Sequence, residues 1–296
     1  MTHIQIRDVS LFVKVVGQGY PLLLLHGGPG LDHTSLLPLQ GCADQFTLVY
    51  FDQRCNGRSV GAPVESMTWD NLIADAEALR EQLGFERWAV LGHSFGGNVA
   101  LEYALRCPDR VSHLMLMDTC GDARWGQQHA PDLLARRGYR PAAVEAARRF
   151  FNGQVTPDQW MSTALKFVDA YYDHLGFLGR MLEMVKESGV KMQPESHIFG
   201  FSQLLTGWTV MDRLGEIKQP TLVLAGRHDF LFPPECQAIL ADRLPNAQLE
   251  LVERAGHNAP SERPAVVVAA IRRLLDGEAP ARENSFLPMY TEVHQS

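Results

Sequence analysis

Short apolar runs alternate with amphipathic stretches along most of the chain, and this alternation predicts strands separated by helices. Strands that are buried on both faces of a mostly parallel sheet read as continuous apolar runs. Runs of this kind lie at Pro21–Leu25, Phe46–Phe51, Trp88–Leu91, Val111–Met117 and Pro220–Ala225. Further strands are predicted at Ile4–Arg7, Ser10–Val16 and Gln248–Glu253.

The amphipathic stretches have helical spacing and recognisable ends. Thr68 is a suitable N-cap for a helix whose apolar positions recur every three or four residues and stop at Gly84. Two more helices are predicted at Asn98–Arg106 and Pro264–Leu275. Strands that alternate with helices pair in parallel and are covered on both faces, so we expect an α/β fold with a doubly wound sheet.

The alternation stops at about Gly121 and resumes after Met211. Four helices are predicted in between, at Pro141–Phe151, Thr156–Leu175, Phe177–Ser188 and Pro194–Leu205. Thr156 offers a hydroxyl cap to the second of them, with Gln159 able to bond back to it. We therefore expect residues 1–120 and 212–296 to form the core and residues 121–211 to form a helical cap, a lid over a pocket.

The run that begins at Trp88 ends in the sequence Gly92-His93-Ser94-Phe95-Gly96 and leads directly into a helix. A strand, a Gly-x-Ser-x-Gly turn and a helix in this order are typical of a nucleophile elbow, in which the serine sits on a strained turn. Ser94 is therefore the candidate nucleophile. The helix N-terminus behind it presents the Phe95 N–H to negative charge on a bound carbonyl oxygen.

A second glycine-rich turn, His26-Gly27-Gly28-Pro29-Gly30, follows the run at Pro21–Leu25. Glycines let a backbone approach a ligand closely and aim its N–H groups inward. We expect the Gly28 N–H to pair with that of Phe95 as an oxyanion hole.

Two further candidates follow later strands, in the order serine, acid, histidine. Asp229 follows the run at Pro220–Ala225, and His257 follows the strand at Gln248–Glu253. The carboxyl ends of parallel strands share one edge of the sheet, so these side chains can meet Ser94 there. His257 would accept the serine proton and Asp229 would orient the imidazole. Asp118 also ends a central strand and is the alternative acid.

Overall composition narrows the possible partners. The formal net charge is −7, without a dense basic run, which argues against nucleic acid or an anionic membrane as the main partner. No apolar stretch approaches the roughly twenty residues of a membrane span, so we expect a cytoplasmic protein. The five cysteines have irregular spacing that suggests neither a disulfide framework nor a zinc site. Transfer of an acyl group to an activated serine hydroxyl requires no metal or organic cofactor, and we expect none.

The chain resembles the serine hydrolases of the α/β-hydrolase fold. Within that group the two loops at His26–Gly30 and Asp52–Ser59, together with Gly226–Asp229, resemble motifs of the proline iminopeptidases. Cys55 stands where that family has a glycine, and the elbow at Gly92–Gly97 is closer to that of general esterases. By itself, the loop at Asp52–Ser59 is interpreted as a salt-bridged brace for the oxyanion turn.

The resemblance implies release of an N-terminal residue, proline above all, from short peptides. In that family, acidic residues of the cap bind the substrate's amino group, and Glu195-Ser-His-Ile-Phe199 is similar to the segment that carries one of them. Glu195 is thus the substrate-binding candidate, while the position after Trp160 holds Met161 rather than a second glutamate. The alternatives are an esterase or lactonase for a small acyl compound, and a ligand-binding protein of this fold with little turnover.

Overall fold

The computed structural model describes residues 2–173 and 189–276, and its centre is an eight-stranded sheet. The strands are β1 Thr2–Ile6, β2 Val9–Val16, β3 Tyr20–Leu25, β4 Phe46–Phe51, β5 Trp88–His93, β6 Val111–Met117, β7 Thr221–Gly226 and β8 Ala247–Val252. Their order is β1-β2-β4-β3-β5-β6-β7-β8. β2 pairs antiparallel with both β1 and β4, and all other pairs are parallel. The predicted α/β fold with a mostly parallel sheet is confirmed.

Helices cover both faces of this sheet. The α-helices are α1 Trp69–Gln82, α2 Phe95–Arg106, α3 Ala130–Arg136, α4 Pro141–Phe150, α5 Pro157–Ala164, α6 Pro194–Phe199, α7 Pro234–Arg243, α8 Ala259–Glu262 and α9 Pro264–Leu275. The hydroxyl of Thr68 accepts a hydrogen bond from the Asn71 N–H and caps α1, as its sequence predicts. Among the described residues, none of the helices combines the length and the apolar composition that crossing a bilayer requires.

The apolar run of β3 explains why the sheet is covered on both sides. Successive side chains of a strand point to opposite faces. Leu22 and Leu24 accordingly pack into one hydrophobic cluster, whereas Leu23 and Leu25 pack into the other. All four side chains are fully buried. This arrangement leaves the ends of the strands as the place where polar side chains can gather.

The stretch between β6 and β7 carries α3 to α6, with short π-helical turns at Trp125–His129 and Gly200–Leu204 and a 3₁₀ turn at Val168–Tyr171. Its two ends meet, because Asp122 and Thr209 form an isolated antiparallel bridge. We refer to residues 122–209 as the insertion. Its role as a separate cap remains a prediction.

Several helix bounds differ from those that the periodicity predicts. The helix expected over Thr156–Leu175 ends at Ala164, and the Gln159 N–H donates to the carbonyl of Thr156 rather than to its hydroxyl. The apolar period of this stretch continues through the shorter 3₁₀ turn, which pattern alone does not separate from an α-helix. The helix expected at Phe177–Ser188 lies outside the described residues. The pattern also missed α3 and α7, two helices of seven and ten residues.

Candidate active site

Ser94 lies at the sharp turn between β5 and α2. Its backbone is strained, with φ 55° and ψ −123°, a combination that non-glycine residues rarely adopt. The turn is possible only because the flanking positions are glycine, since the neighbouring backbone leaves no room there for a side chain. A Cβ on Gly92 would lie 2.2 Å from the Gly96 carbonyl oxygen, and one on Gly96 would lie 2.1 Å from that of Leu25. The turn lifts the Ser94 hydroxyl above the sheet edge.

The structure brings Ser94, His257 and Asp229 into one hydrogen-bonded chain. The Ser94 Oγ lies 3.0 Å from His257 Nε2, and His257 Nδ1 lies 2.9 Å from Asp229 Oδ2. Since the carboxylate can only accept, Nδ1 carries the proton and Nε2 is left to accept from the serine hydroxyl. Such a chain activates a hydroxyl as a nucleophile.

The loop after β7 fixes the carboxylate in this chain. Asp229 Oδ1 accepts hydrogen bonds from the N–H groups of Leu231 and Phe232, at 2.8 and 3.1 Å. The other oxygen is thereby directed at His257. Asp229 is fully buried, and the tight turn that holds it is a local feature of its own sequence neighbours.

Asp118, the alternative acid, takes a different position. Its Oδ1 accepts from the Gly226 N–H at 2.7 Å, and its Oδ2 lies 4.0 Å from His93 Nε2. Burial, together with the nearby charge of Asp229, raises the pKa of Asp118 well above its usual range. The raised pKa favours the uncharged form of Asp118, and Asp229 is the acid whose side chain contacts His257.

Two backbone N–H groups are available next to Ser94. Gly28, in the left-handed region with φ 124°, lines the cavity described below, and Phe95 is the first residue of α2. Neither N–H donates to an acceptor in the parts of the chain that the structure describes. Unpaired donors at a helix start and in a glycine turn are suited to a developing oxyanion.

The loop at Asp52–Ser59 holds the Gly28 turn from below. Gln53 contacts His26 twice, through its side-chain amide to the carbonyl at 3.0 Å and through its N–H to the ring at 3.1 Å. The Asn56 side chain accepts from the Gly30 N–H. Cys55 adopts φ 62°, a conformation that costs a cysteine more than a glycine. These contacts are those of a brace.

Asp32, His33 and Asp52 are the three described residues that come close enough together to suggest a metal site. Their ligand atoms are already used within the protein. His33 Nδ1 lies 2.6 Å from Asp52 Oδ1, and the Arg58 guanidinium donates to Asp32 Oδ2. Binding a cation there would mean breaking these contacts, so the donor set does not fit a resident metal.

A cavity of about 430 Å³ opens beside Ser94. The insertion supplies most of its apolar wall, including Phe150, Phe151, Trp160, Met161, Leu165 and Phe201. Asp32 provides the only carboxylate among the described lining residues. That carboxylate accepts from the Arg58 guanidinium and from the N–H groups of Thr34 and Lys191, at 2.9 and 2.8 Å. The described wall therefore presents no unpaired negative charge to a ligand.

Residues 20–264 match the model of the alpha/beta hydrolase fold family. The chain belongs to this family. The hydrolase is 28% identical over 270 residues to the proline iminopeptidase of Neisseria meningitidis, covering 81% of this chain and 84% of that one. It is also 28% identical over 288 residues to a Caulobacter protein named as a candidate carbamate hydrolase, RutD, covering 86% and 95%.

A solved esterase structure from Thermogutta terrifontis aligns with this hydrolase at a TM-score of 0.71 and 25% identity, covering 94% of this chain and 99% of the esterase. The three similar proteins carry the names of three different hydrolytic activities. Membership of the family therefore identifies a hydrolase and leaves its substrate open.

Glu195 lies apart from the rest of the predicted site. It is in the first turn of α6 and exposed, whereas the next two residues, Ser196 and His197, are buried. His197 lines the cavity and Glu195 does not. The resemblance identified the segment, but which side chain of a short helix points inward depends on how the helix packs. His197 and His93 are lining residues that the sequence analysis did not single out.

Proposed function

We propose that this hydrolase cleaves esters of uncharged, predominantly apolar carboxylic acids through a covalent intermediate on Ser94. The observation that carries the proposal is the cavity wall beside Ser94, which is apolar and whose single described carboxylate is already paired. An apolar acyl group gains about 25 cal/mol for each Å² that it buries in such a wall. A charged amino group would lose hydration there without finding an unpaired carboxylate among the described lining residues.

In the proposed mechanism Ser94 Oγ attacks the ester carbonyl carbon while His257 Nε2 takes the hydroxyl proton. The N–H groups of Gly28 and Phe95 stabilise the oxyanion, and Asp229 stabilises the imidazolium. His257 then donates the proton to the leaving alcohol, and the acyl group stays on Ser94. A water molecule, deprotonated by His257, releases the acid and restores the serine.

Steady-state hydrolysis of p-nitrophenyl butyrate and of proline p-nitroanilide by the purified protein tests the proposal. We expect the ester to be cleaved with a kcat/KM at least about a hundred-fold above that of the anilide. The Ser94→Ala variant, purified in parallel, controls for contaminating esterases. Cleavage of the anilide with equal or higher kcat/KM would contradict the ester assignment.

The second candidate is release of an N-terminal proline from short peptides. It is favoured by the 28% identity to a proline iminopeptidase and by the similar loops at His26–Gly30 and Asp52–Ser59. This function needs a carboxylate that binds the substrate's amino group, and Glu195 is its candidate. Loss of anilide cleavage in Glu195→Gln, with ester cleavage unchanged, would support this second function.

A further inference from the structure

His93, the residue just before the nucleophile, contacts the main chain of the catalytic histidine. Its Nε2 lies 2.8 Å from the backbone carbonyl oxygen of His257. A carbonyl can only accept a hydrogen bond, so Nε2 must carry the proton. His93 is 3% exposed, and water does not compete for this bond.

The rest of the ring has no comparable contact. Nδ1 is buried, and no described residue offers it a hydrogen-bond partner. It faces the backbone at Gly27, where an added Cβ would lie 3.1 Å away. Burial, with a smaller contribution from His257, lowers the pKa of His93 to about 3. The ring is therefore neutral at pH 7, and its one proton stays in the bond to the carbonyl.

We propose that His93 is a positioning residue that fixes the distance between the His257 loop and the nucleophile. Adjacent residues of one elbow then hold the base at two points, Ser94 through the imidazole Nε2 and His93 through the carbonyl of the same residue. Asp229 sets the rotation of the imidazole, whereas His93 sets the position of the backbone from which the imidazole extends. This inference rests on the proposed role of Ser94 and His257.

The geometry explains why the second contact matters for rate. His257 lies on a loop after β8, and a loop moves more easily than the strand that carries His93. A misplacement of a catalytic group by about 1 Å can cost about a hundred-fold in rate. Loss of the carbonyl contact should therefore lower kcat more than it changes KM, because the bond that is lost joins His93 to the His257 carbonyl within the protein and does not involve the substrate.

Three substitutions of His93 distinguish the effect of losing the hydrogen bond from the effect of losing the volume of the ring. The amide nitrogen of glutamine is three bonds from Cβ, as Nε2 is in histidine, whereas that of asparagine is two bonds away. His93→Gln can therefore reach the His257 carbonyl, and neither His93→Asn nor His93→Leu can. His113→Leu, which removes a half-buried histidine from β6, is the matched control.

The measurement is the rate at which a fluorophosphonate probe labels Ser94, together with kcat and KM for p-nitrophenyl butyrate. We expect His93→Asn and His93→Leu to lower the labelling rate and kcat by roughly 10- to 100-fold. His93→Gln should keep most of the wild-type rate. Thermal unfolding of each variant shows whether the rates are compared between folded proteins. The proposal would be overturned if His93→Leu kept the labelling rate and kcat of the wild type. It would also be overturned if His93→Gln and His93→Leu lost equal amounts of activity while being equally stable.

A second measurement observes the His93 ring directly in the wild-type protein. Long-range ¹H–¹⁵N spectra of the wild-type protein report the tautomer of each histidine, and His93→Gln identifies the signal. We expect the neutral form protonated at Nε2 from about pH 5 upward, since its pKa is about 3. A ring protonated at Nδ1 excludes the bond to His257. Labelling and tautomer do not depend on which ester is cleaved, so a failed ester assay contradicts the proposed function and leaves this inference testable.

Discussion

The edge of the sheet and the helical insertion contribute to the same cavity in different ways. At the edge, Ser94, Asp229 and His257 follow three strands, and local turns hold Ser94 and Asp229. In the insertion, the lining side chains come from several short helices and are held by each other. The comparison separates reaction chemistry, which we expect the edge to supply, from substrate choice, which we expect the insertion to govern.

Removing the nucleophile tests the chemical side most directly. We expect Ser94→Ala to lower kcat for p-nitrophenyl butyrate by roughly 10⁴- to 10⁶-fold, because the residual rate comes from binding and the oxyanion donors alone. The Ser94 side chain is small and the turn is fixed by the glycines, so thermal unfolding should be unchanged. Retained turnover in a pure preparation would refute the assignment of Ser94.

The two buried acids behind His257 should differ sharply. Asp229→Asn removes the charge that fixes the imidazole tautomer, and we expect kcat to fall by roughly 10³- to 10⁴-fold. Asp118→Asn replaces an acid whose raised pKa favours its uncharged form by an uncharged amide of the same shape, and kcat should change by less than about three-fold. If kcat for the same ester fell by comparable factors in both variants, Asp118 would contribute to orienting His257 as Asp229 does.

Side chains at the sheet edge are the part of the site that the sequence predicts well. Each of the three follows a predicted strand, and parallel strands bring their carboxyl ends to one edge whatever the packing elsewhere. Even so, the bond from His93 to the His257 carbonyl depends on how close the end of β5 and the loop after β8 come. No local sequence pattern predicts that distance. In the sequence, nothing distinguishes His93 from any other residue of the elbow.

The insertion is less predictable for a physical reason. Its helices are short, and α6 has only six residues, so its apolar spacing does not define one buried face. Similarity to a known segment predicted Glu195 as the residue that binds substrate, whereas in the structure His197 lines the cavity and Glu195 is exposed. Tertiary packing decides this orientation.

The two regions touch where the backbone of Tyr171 passes over Gly256, the residue before His257. A Cβ on Gly256 would lie 2.7 Å from the Tyr171 carbonyl oxygen, so Gly256→Ala must move the insertion or the catalytic loop. We expect a loss of about 1–3 kcal/mol in the free energy of unfolding and about a ten-fold lower kcat. Gly215→Ala, where an added Cβ meets nothing within 4 Å, is the control for urea unfolding.

Lowering the pH should reduce the free energy of unfolding, because His197 is a buried histidine of the insertion. Burial lowers the pKa of His197 to about 4, so its ring is neutral in the folded protein, whereas an unfolded histidine binds a proton below about pH 6.5. Its contribution to stability is complete above pH 6.5 and is lost as the pH falls toward 4. At about pH 5 the loss approaches about 2 kcal/mol.

Urea unfolding of wild type and His197→Gln at the two ends of this range checks the sign. The difference in unfolding free energy between the two proteins should shrink as the pH falls. Asp118→Asn gives the opposite sign, because its raised pKa makes the folded protein hold a proton that the unfolded chain releases above about pH 4. A pH-independent difference in both variants would mean that neither group is held in its neutral form.

The smallest effect is expected at Glu195, and it bears most directly on substrate choice. The side chain is exposed and off the described cavity wall, so Glu195→Gln should change kcat/KM for p-nitrophenyl butyrate by less than about two-fold. The same variant is assayed with proline p-nitroanilide, and Glu145→Gln, on the exposed side of α4, is the control. If only the anilide activity falls, and only in Glu195→Gln, the glutamate reaches the substrate's amino group. The insertion would then bind substrate through charge as well as through its apolar wall.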